Sequence, residues 1–190
     1  MFRWKTSQDA WEEATELATR NDFQEIFTED MAGLHLLAYL LTADEDKAEL
    51  CFVAGLEDSL QGNEIFRQWA RAWSKRAMIK NAIKALSPMP GRPHTERETG
   101  GDWTNDPEKN ALIAAVTQLD TFDRFVFVMA VLEGYPLDDC AALLGLDVSE
   151  VQAAKSRALQ SLGALQSTGA AAPSNRDGSW FAFLMPTAMA

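Results

Sequence analysis

The chain predicts an all-α fold: two small helical domains joined by a Pro/Gly-rich linker, the second ending in a helix-turn-helix. Three observations carry this. Apolar residues recur at i, i+3, i+4 and i+7 through successive segments, the spacing of one helix face. Ser87 to Pro107 gathers four Pro and three Gly, a stretch better suited to joining two units than to lying inside one. Near the end, Gly145-Leu146-Asp147 separates two short helical patterns, the spacing of a helix-turn-helix. With 190 residues, 47% apolar and 24% charged, there is enough chain for one domain or two small ones.

Taken in order, the Ala-rich acidic pattern from Trp11 to Leu17 predicts a first helix. Phe23, Ile26, Phe27, Met31, Leu34, Leu37, Ala38 and Leu41 predict a second, over Asp22 to Leu41. Asp44 is placed to cap a third helix containing Ala48, Cys51 and Leu56, which ends near Gly62-Asn63. A basic helix beginning near Phe66 follows and stops before Pro88. These elements make a first domain over residues 1–86, followed by a linker over 87–107 and a second domain over 108–166. The second domain opens with Glu108 to Leu119. It continues with Phe122 to Glu133, whose FVFVMAVL run is read as helix because Thr121 stands as N-cap, Asp123 in the first turn and Gly134 just past the end. Pro136 opens Leu137 to Leu144, and Asp147 with Glu150 forms a capping box for a helix from Val148 to about Leu165. Residues 167–190 read as a flexible tail ending in the apolar Trp180-Phe181-Ala182-Phe183-Leu184-Met185, which is expected to dock on the body or on a partner.

Several function classes fall away. The apolar runs Leu34 to Leu41 and Phe125 to Leu132 are far short of the roughly 20 residues of a membrane span. The first twenty residues mix Lys, Arg and acids with no apolar core, so they do not read as a secretory signal, and the expected location is the cytoplasm. Cys51 and Cys140 sit on apolar helical stretches, and His35 and His94 stand alone; they read as buried thiols and ordinary imidazoles, with no metal ligand set. No phosphate loop, nucleophile elbow or zinc-binding His pair occurs. Neither enzymatic activity nor a cofactor is expected.

The net charge of −11 argues against a nucleic-acid partner until it is mapped along the chain. Met1 to Asn63 carries four basic and fourteen acidic residues, whereas Glu64 to Leu86 carries six basic and one acidic. In that block Arg67, Arg71, Lys75, Arg76, Lys80 and Lys84 occupy the circumference left by Phe66, Trp69, Trp73, Ala77 and Ile83. The pattern suits either a positive edge held outward for a phosphate backbone or a solvated face that offsets the acidic half. Trp69 and Trp73, four residues apart, suit a core stripe or a base-stacking platform.

The order of these features resembles a bacterial sigma factor of the small, two-domain extracytoplasmic-function type, over about Phe23 to Leu162. Phe23, Ile26, Leu37, Ala38, Leu41, Thr42, Asp44, Ala48 and Glu49 follow the family's first-domain pattern of a Phe-led helix, a Leu-rich segment, Thr-Gly-Asp and Ala-Glu-Asp. Phe66-Arg67-x-Trp69 resembles the start of its promoter-melting helix. Leu119, Val126, Phe127, Leu132, Glu133, Gly134, Tyr135, Ala141, Leu144, Gly145, Val148, Val151, Arg157, Ala158 and Leu162 resemble its second domain. The resemblance implies binding to core RNA polymerase and promoter DNA, with a possible anti-sigma or other protein regulator. It implies that Arg67, Arg71, Lys75, Arg76 and Lys80 contact phosphates near the minus-ten element, with Trp69 and Trp73 packing or stacking. Ser149, Glu150, Gln152, Lys155, Ser156 and Arg157 then face the major groove.

Two departures matter. Leu50-Cys51-Phe52-Val53-Ala54 replaces an acidic, amide-bearing polymerase-docking face, and Gln152-Ala153-Ala154 replaces a cationic triplet. Fewer cations imply weaker DNA binding with a flatter salt dependence, while Gln152 retains the ability to pair with adenine. The alternative is a sigma-like module that acts through protein contacts without reading promoters. On sequence alone, replacing Arg71 and Lys75 by Ala is expected to lower DNA affinity with little loss of folding.

Overall fold

Thr19 starts the helical array. Its hydroxyl accepts from the Asp22 N–H at 3.3 Å while the Asp22 carboxylate accepts from the Thr19 N–H at 2.7 Å, which satisfies two donors at the start of α1, Arg20–Glu29. The computed structural model describes residues 16–61, 64–91 and 103–167. Within them follow α2 (Met31–Thr42), α3 (Glu45–Leu60), a 3-10 turn (Arg67–Trp69) leading into α4 (Ala70–Leu86), α5 (Pro107–Thr117), α6 (Thr121–Phe127), α7 (Leu137–Leu144) and α8 (Val148–Ser167). No strand occurs among the described residues, only an isolated antiparallel bridge between Leu17 and Phe66.

The all-α expectation is met, and the differences from it are local. Glu16 and Leu17 are not helical, because Leu17 pairs with Phe66; the rest of the expected first helix lies outside the described residues. The single helix expected over Asp22 to Leu41 is two, since Asp30 leaves helical geometry at φ −107°, ψ 23°. Asp44 caps α3 as expected, accepting from the Lys47 N–H at 2.9 Å. Asp120, not Thr121, holds the N-cap position of α6 and makes no side-chain cap bond. The FVFVMAVL segment is helical but closes in a π-turn over Val128–Leu132, in which the Glu133 N–H donates to Val128 O at 2.9 Å. Gly134 and Gly145 follow helix ends at φ +71° and +69°, where the missing Cβ removes the strain of the left-handed region.

α2 carries no Asp, Glu, Lys or Arg and is buried almost around its whole circumference from Leu34 to Thr42, as expected for a helix apolar on every side. It forms the axis on which α3, α4, α5 and α6 pack. α3 and α4 approach closely at Gly55, where a Cβ would lie 2.6 Å from Met78 Cγ. The helices before and after residues 87–107 share one apolar core, which joins Leu34, Leu37 and Ile79 to Ile113, Phe125 and Val126. Trp103, at the end of the Pro/Gly-rich stretch, stacks 4.4 Å from Tyr39 and 5.4 Å from His35. Residues 92–102, His94 among them, and the apolar end at 180–185 lie outside the described residues.

Ala43 ends α2 in the left-handed region at φ +52°, which disfavours any residue with a Cβ by roughly 1–2 kcal/mol. Ala43→Gly is therefore expected to stabilise the protein by about 1 kcal/mol, read as a higher urea midpoint at unchanged m-value.

Candidate nucleic-acid interface

Gly145 lets the chain turn out of α7 and into α8, and Leu146 N–H returns to Ala141 O at 3.1 Å. α8 then buries Val151, Ala154, Ala158 and Leu162, which fixes the opposite face outward. On that face Ser149, Glu150, Gln152, Ala153 and Ser156 are exposed, and Lys155 is half-buried. The Glu150 carboxylate accepts from the Asp147 N–H at 3.3 Å, one half of the expected capping box, while the Glu150 N–H goes to Asp147 backbone O at 3.1 Å. Ser156 Oγ donates to Gln152 O at 3.0 Å, leaving the Gln152 side-chain amide for other partners. Arg157 is held: its Nε and Nη2 donate to the two Asp123 oxygens at 3.0 and 2.6 Å. This two-pronged bond ties α8 to the first turn of α6 and holds the Arg157 guanidinium still more firmly protonated. The outward face of α8 thus offers Ser149, Gln152 and Ser156 to hydrogen-bond base edges. Exposed Glu150 beside them, with Asp138, Asp139 and Asp147 on α7 and the turn, leaves the helix-turn-helix surface acidic, with no charge attraction to phosphate beyond Lys155.

Of the two readings of the basic helix, most of its cations fit the one in which they offset the acidic half. Arg67 pairs with Glu16 at 3.3 Å and Asp22 at 2.8 Å, Arg71 with Asp30 at 2.7 Å and Glu29 at 3.7 Å, and Lys84 with Asp58 at 3.7 Å. Lys80 sits 5.7 Å over the Trp73 ring. Arg76 makes no ion pair with a described residue. Trp69 is not core; it is 57% exposed and meets Phe66 edge-on at 5.4 Å. Trp73 is half-buried, with Nε1 enclosed and making no hydrogen bond. Thr19 and Arg67 together hold the Asp22 carboxyl below its ordinary range.

Lys75 stands apart, because its Nζ donates at 3.0 Å to Glu133, whose side chain is only 6% exposed. Removing Lys75 leaves that carboxylate buried without its cation, so the expectation that Arg71 and Lys75 can both be replaced at little cost in folding is corrected for Lys75. Between α4 and the 133–136 turn runs a groove of about 780 Å3, lined by Trp69, Trp73, Lys75, Arg76, Glu133 and Tyr135 among others. Burial pushes the Tyr135 hydroxyl up to about 12 and the Cys140 thiol up to about 11, so neither ionises near neutrality.

Burial also holds the Glu133 carboxyl above the ordinary glutamate range, with Lys75 opposing and Asp30 adding to the shift. A group raised on folding binds its proton more tightly when folded. Its contribution is complete below the unfolded value and is lost as pH rises through the folded one. Stability relative to Glu133→Gln is therefore expected to fall as pH rises from about 4 towards 7. Urea midpoints of both proteins across that range check this, and a constant difference contradicts it.

Sequence reasoning missed three features that set this geometry: Asp123 as the partner of Arg157, Glu133 as the partner of Lys75, and buried Arg124. Arg124 is 1% exposed. Its guanidinium donates to Leu41 O at 3.1 and 3.2 Å, Thr42 O at 3.3 Å, Thr117 O at 3.4 Å and Leu119 O at 3.3 Å. It thereby joins the C-terminal ends of α2 and α5, where carbonyls lack helical donors. The one visible signal was a cation set inside TFDRFVF.

Among the described residues no group of three or more His, Cys, Asp or Glu could hold a metal ion, and no helix is long and apolar enough to cross a membrane. No curated protein and no solved structure matches the chain. Residues 109–162, which run from the first turn of α5 into α8 and leave α1 to α4 outside, match the family model for sigma-70, region 4.

Proposed function

We propose that the chain is a transcription initiation factor of the sigma type, bringing core RNA polymerase to promoter DNA through contacts and strand separation, without covalent chemistry. The observation that carries this reading is the outward polar face of α8, within the stretch that matches sigma-70, region 4. In this reading Gln152 reads a base edge, Ser149 donates to the groove or the phosphates, Ser156, whose proton goes to Gln152 O, accepts from a base edge, and Lys155 lies beside the backbone. Arg157 supports the helix through Asp123 instead of reaching for DNA. On α4, Arg76 and Lys80 are the cations most readily offered to a phosphate, and exposed Trp69, in the 3-10 turn before it, is the ring most readily stacked on an unpaired base. Arg67 and Arg71 reach phosphate by exchanging carboxylates, since ion pairs at solvent-exposed ends hold weakly. The protein works in the cytoplasm, and a regulator of the anti-sigma kind is a natural partner for such a factor.

The ion pairing of Arg67, Arg71, Lys75 and Arg157 favours a second reading, in which the same helices act through protein contacts and leave promoters unread. A pull-down with purified core polymerase, followed by salt-titrated retention of promoter fragments, separates the two. The proposed function expects polymerase capture and DNA retention that weakens with salt. Capture with no DNA retention favours the second reading, and failure of capture contradicts the proposed function and leaves the second reading only a protein partner other than polymerase.

A further inference from the structure

A second groove, of about 680 Å3, opens between α2, α3 and the start of the α5 segment. Its walls are Met31, His35, Leu36, Phe52, Val53 and Trp103. Met31 is 59% and Val53 47% exposed, and the aromatic floor is already ordered: Trp103 lies 5.4 Å from His35, and Phe52 meets His35 edge-on at 6.1 Å. The volume lies within the roughly 300–1,000 Å3 typical of pockets that enclose apolar ligands. Glu49 is the charged residue on its lining, so the groove suits an uncharged, apolar occupant.

The chain carries a segment of that chemistry. Trp180 to Met185 has five large apolar side chains and no charge, and it follows a tether rich in Ala, Gly, Ser and Pro. We infer that this segment seats in the groove that α2, α3 and Trp103 form on its own chain. The inference does not depend on whether α8 reads DNA.

Reach permits it. Arg157 meets Asp123 just beyond the end of α5, and α8 runs on to Ser167, about 15 Å further at helical rise. The groove begins at Trp103 and Thr104, before the other end of α5, and an 11-residue helix is roughly 16 Å long. The residues from Thr168 to Ser179 extend to about 40 Å, which leaves roughly 9 Å beyond the two spans for the offset between Arg157 and the end of α5. Tethering on so short a linker raises the local concentration of the segment well above that of a second copy at ordinary protein concentrations.

The test uses the full chain labelled with 5-fluorotryptophan, with the Trp180 and Trp103 fluorine signals assigned by Trp180→Phe and Trp103→Phe. The expected result is a Trp180 signal away from the free-indole position and severalfold less broadened by a soluble paramagnetic agent than in the double variant Met31→Glu with Val53→Glu. Both substituted positions are exposed, and unchanged far-UV circular dichroism confirms folding. A nitroxide attached through Ala188→Cys, with Cys51 and Cys140 buried, is expected to broaden Trp103 selectively and gives a second readout that needs no groove variant. A free-indole Trp180 signal, or a nitroxide that leaves Trp103 sharp, overturns the inference. So does protection indifferent to the groove variant, while protection lost on dilution as a dimer dissociates overturns it by assigning the groove to a second copy instead.

Discussion

Arg124→Ala is expected to destabilise the protein by about 3–5 kcal/mol, the combined effect of an emptied core volume and buried carbonyls left without donors. Set against a total stability of roughly 5–15 kcal/mol for a typical domain, this leaves much of the population unfolded at modest urea. The guanidinium is buried and spans carbonyls from residues 41, 42, 117 and 119, so its loss releases α2 from the α5–α6 turn. Arg124→Met keeps most of the stem and removes the donors. It is expected to cost about 2–3 kcal/mol, the part due to unpaired polar groups. Urea unfolding of both variants separates the contributions, and a Met variant as stable as the parent contradicts the role assigned to the guanidinium.

The second large effect is expected at α8. Gln152→Glu with Ser156→Glu sets two negative charges on the outward face, and repulsion from phosphate is expected to lower DNA affinity by about 10–100-fold. Both side chains are exposed, so the melting temperature is expected to move little. The reverse change, Gln152→Lys, is expected to raise affinity at low salt and steepen the salt dependence by about one phosphate contact. Equal retention of DNA by all three proteins contradicts a DNA-facing α8.

Local chemistry made much of the fold legible. Asp44 before an apolar period, Pro88 after the basic helix, and the Gly145 turn each act within a few residues, and each stands where the pattern put it. The break at Asp30 was hidden because Phe23 to Leu41 keeps one apolar face across it; a periodic pattern does not register a change of axis. The candidate site divides in the same way. The exposed positions of α8 follow from which residues it buries, and burial follows from spacing. The fate of the cations does not, since Arg71 finds Asp30 41 residues away and Lys75 finds Glu133 58 residues away. Periodicity along one helix carries no information about a carboxylate brought up by another. Arg124 was missed for a related reason: an arginine reads as surface until enough carbonyls converge on it to replace water.

The central claim is that α8 meets duplex DNA when the chain is bound to core polymerase. A photo-crosslinking amino acid at Gln152 tests it most directly, with the same group at exposed Glu108 at the start of α5 as the control. Irradiation of the polymerase complex with promoter fragments is expected to join position 152 to DNA and to leave position 108 unjoined. Crosslinks from 152 to polymerase subunits alone contradict the claim and leave the protein-contact reading in its place.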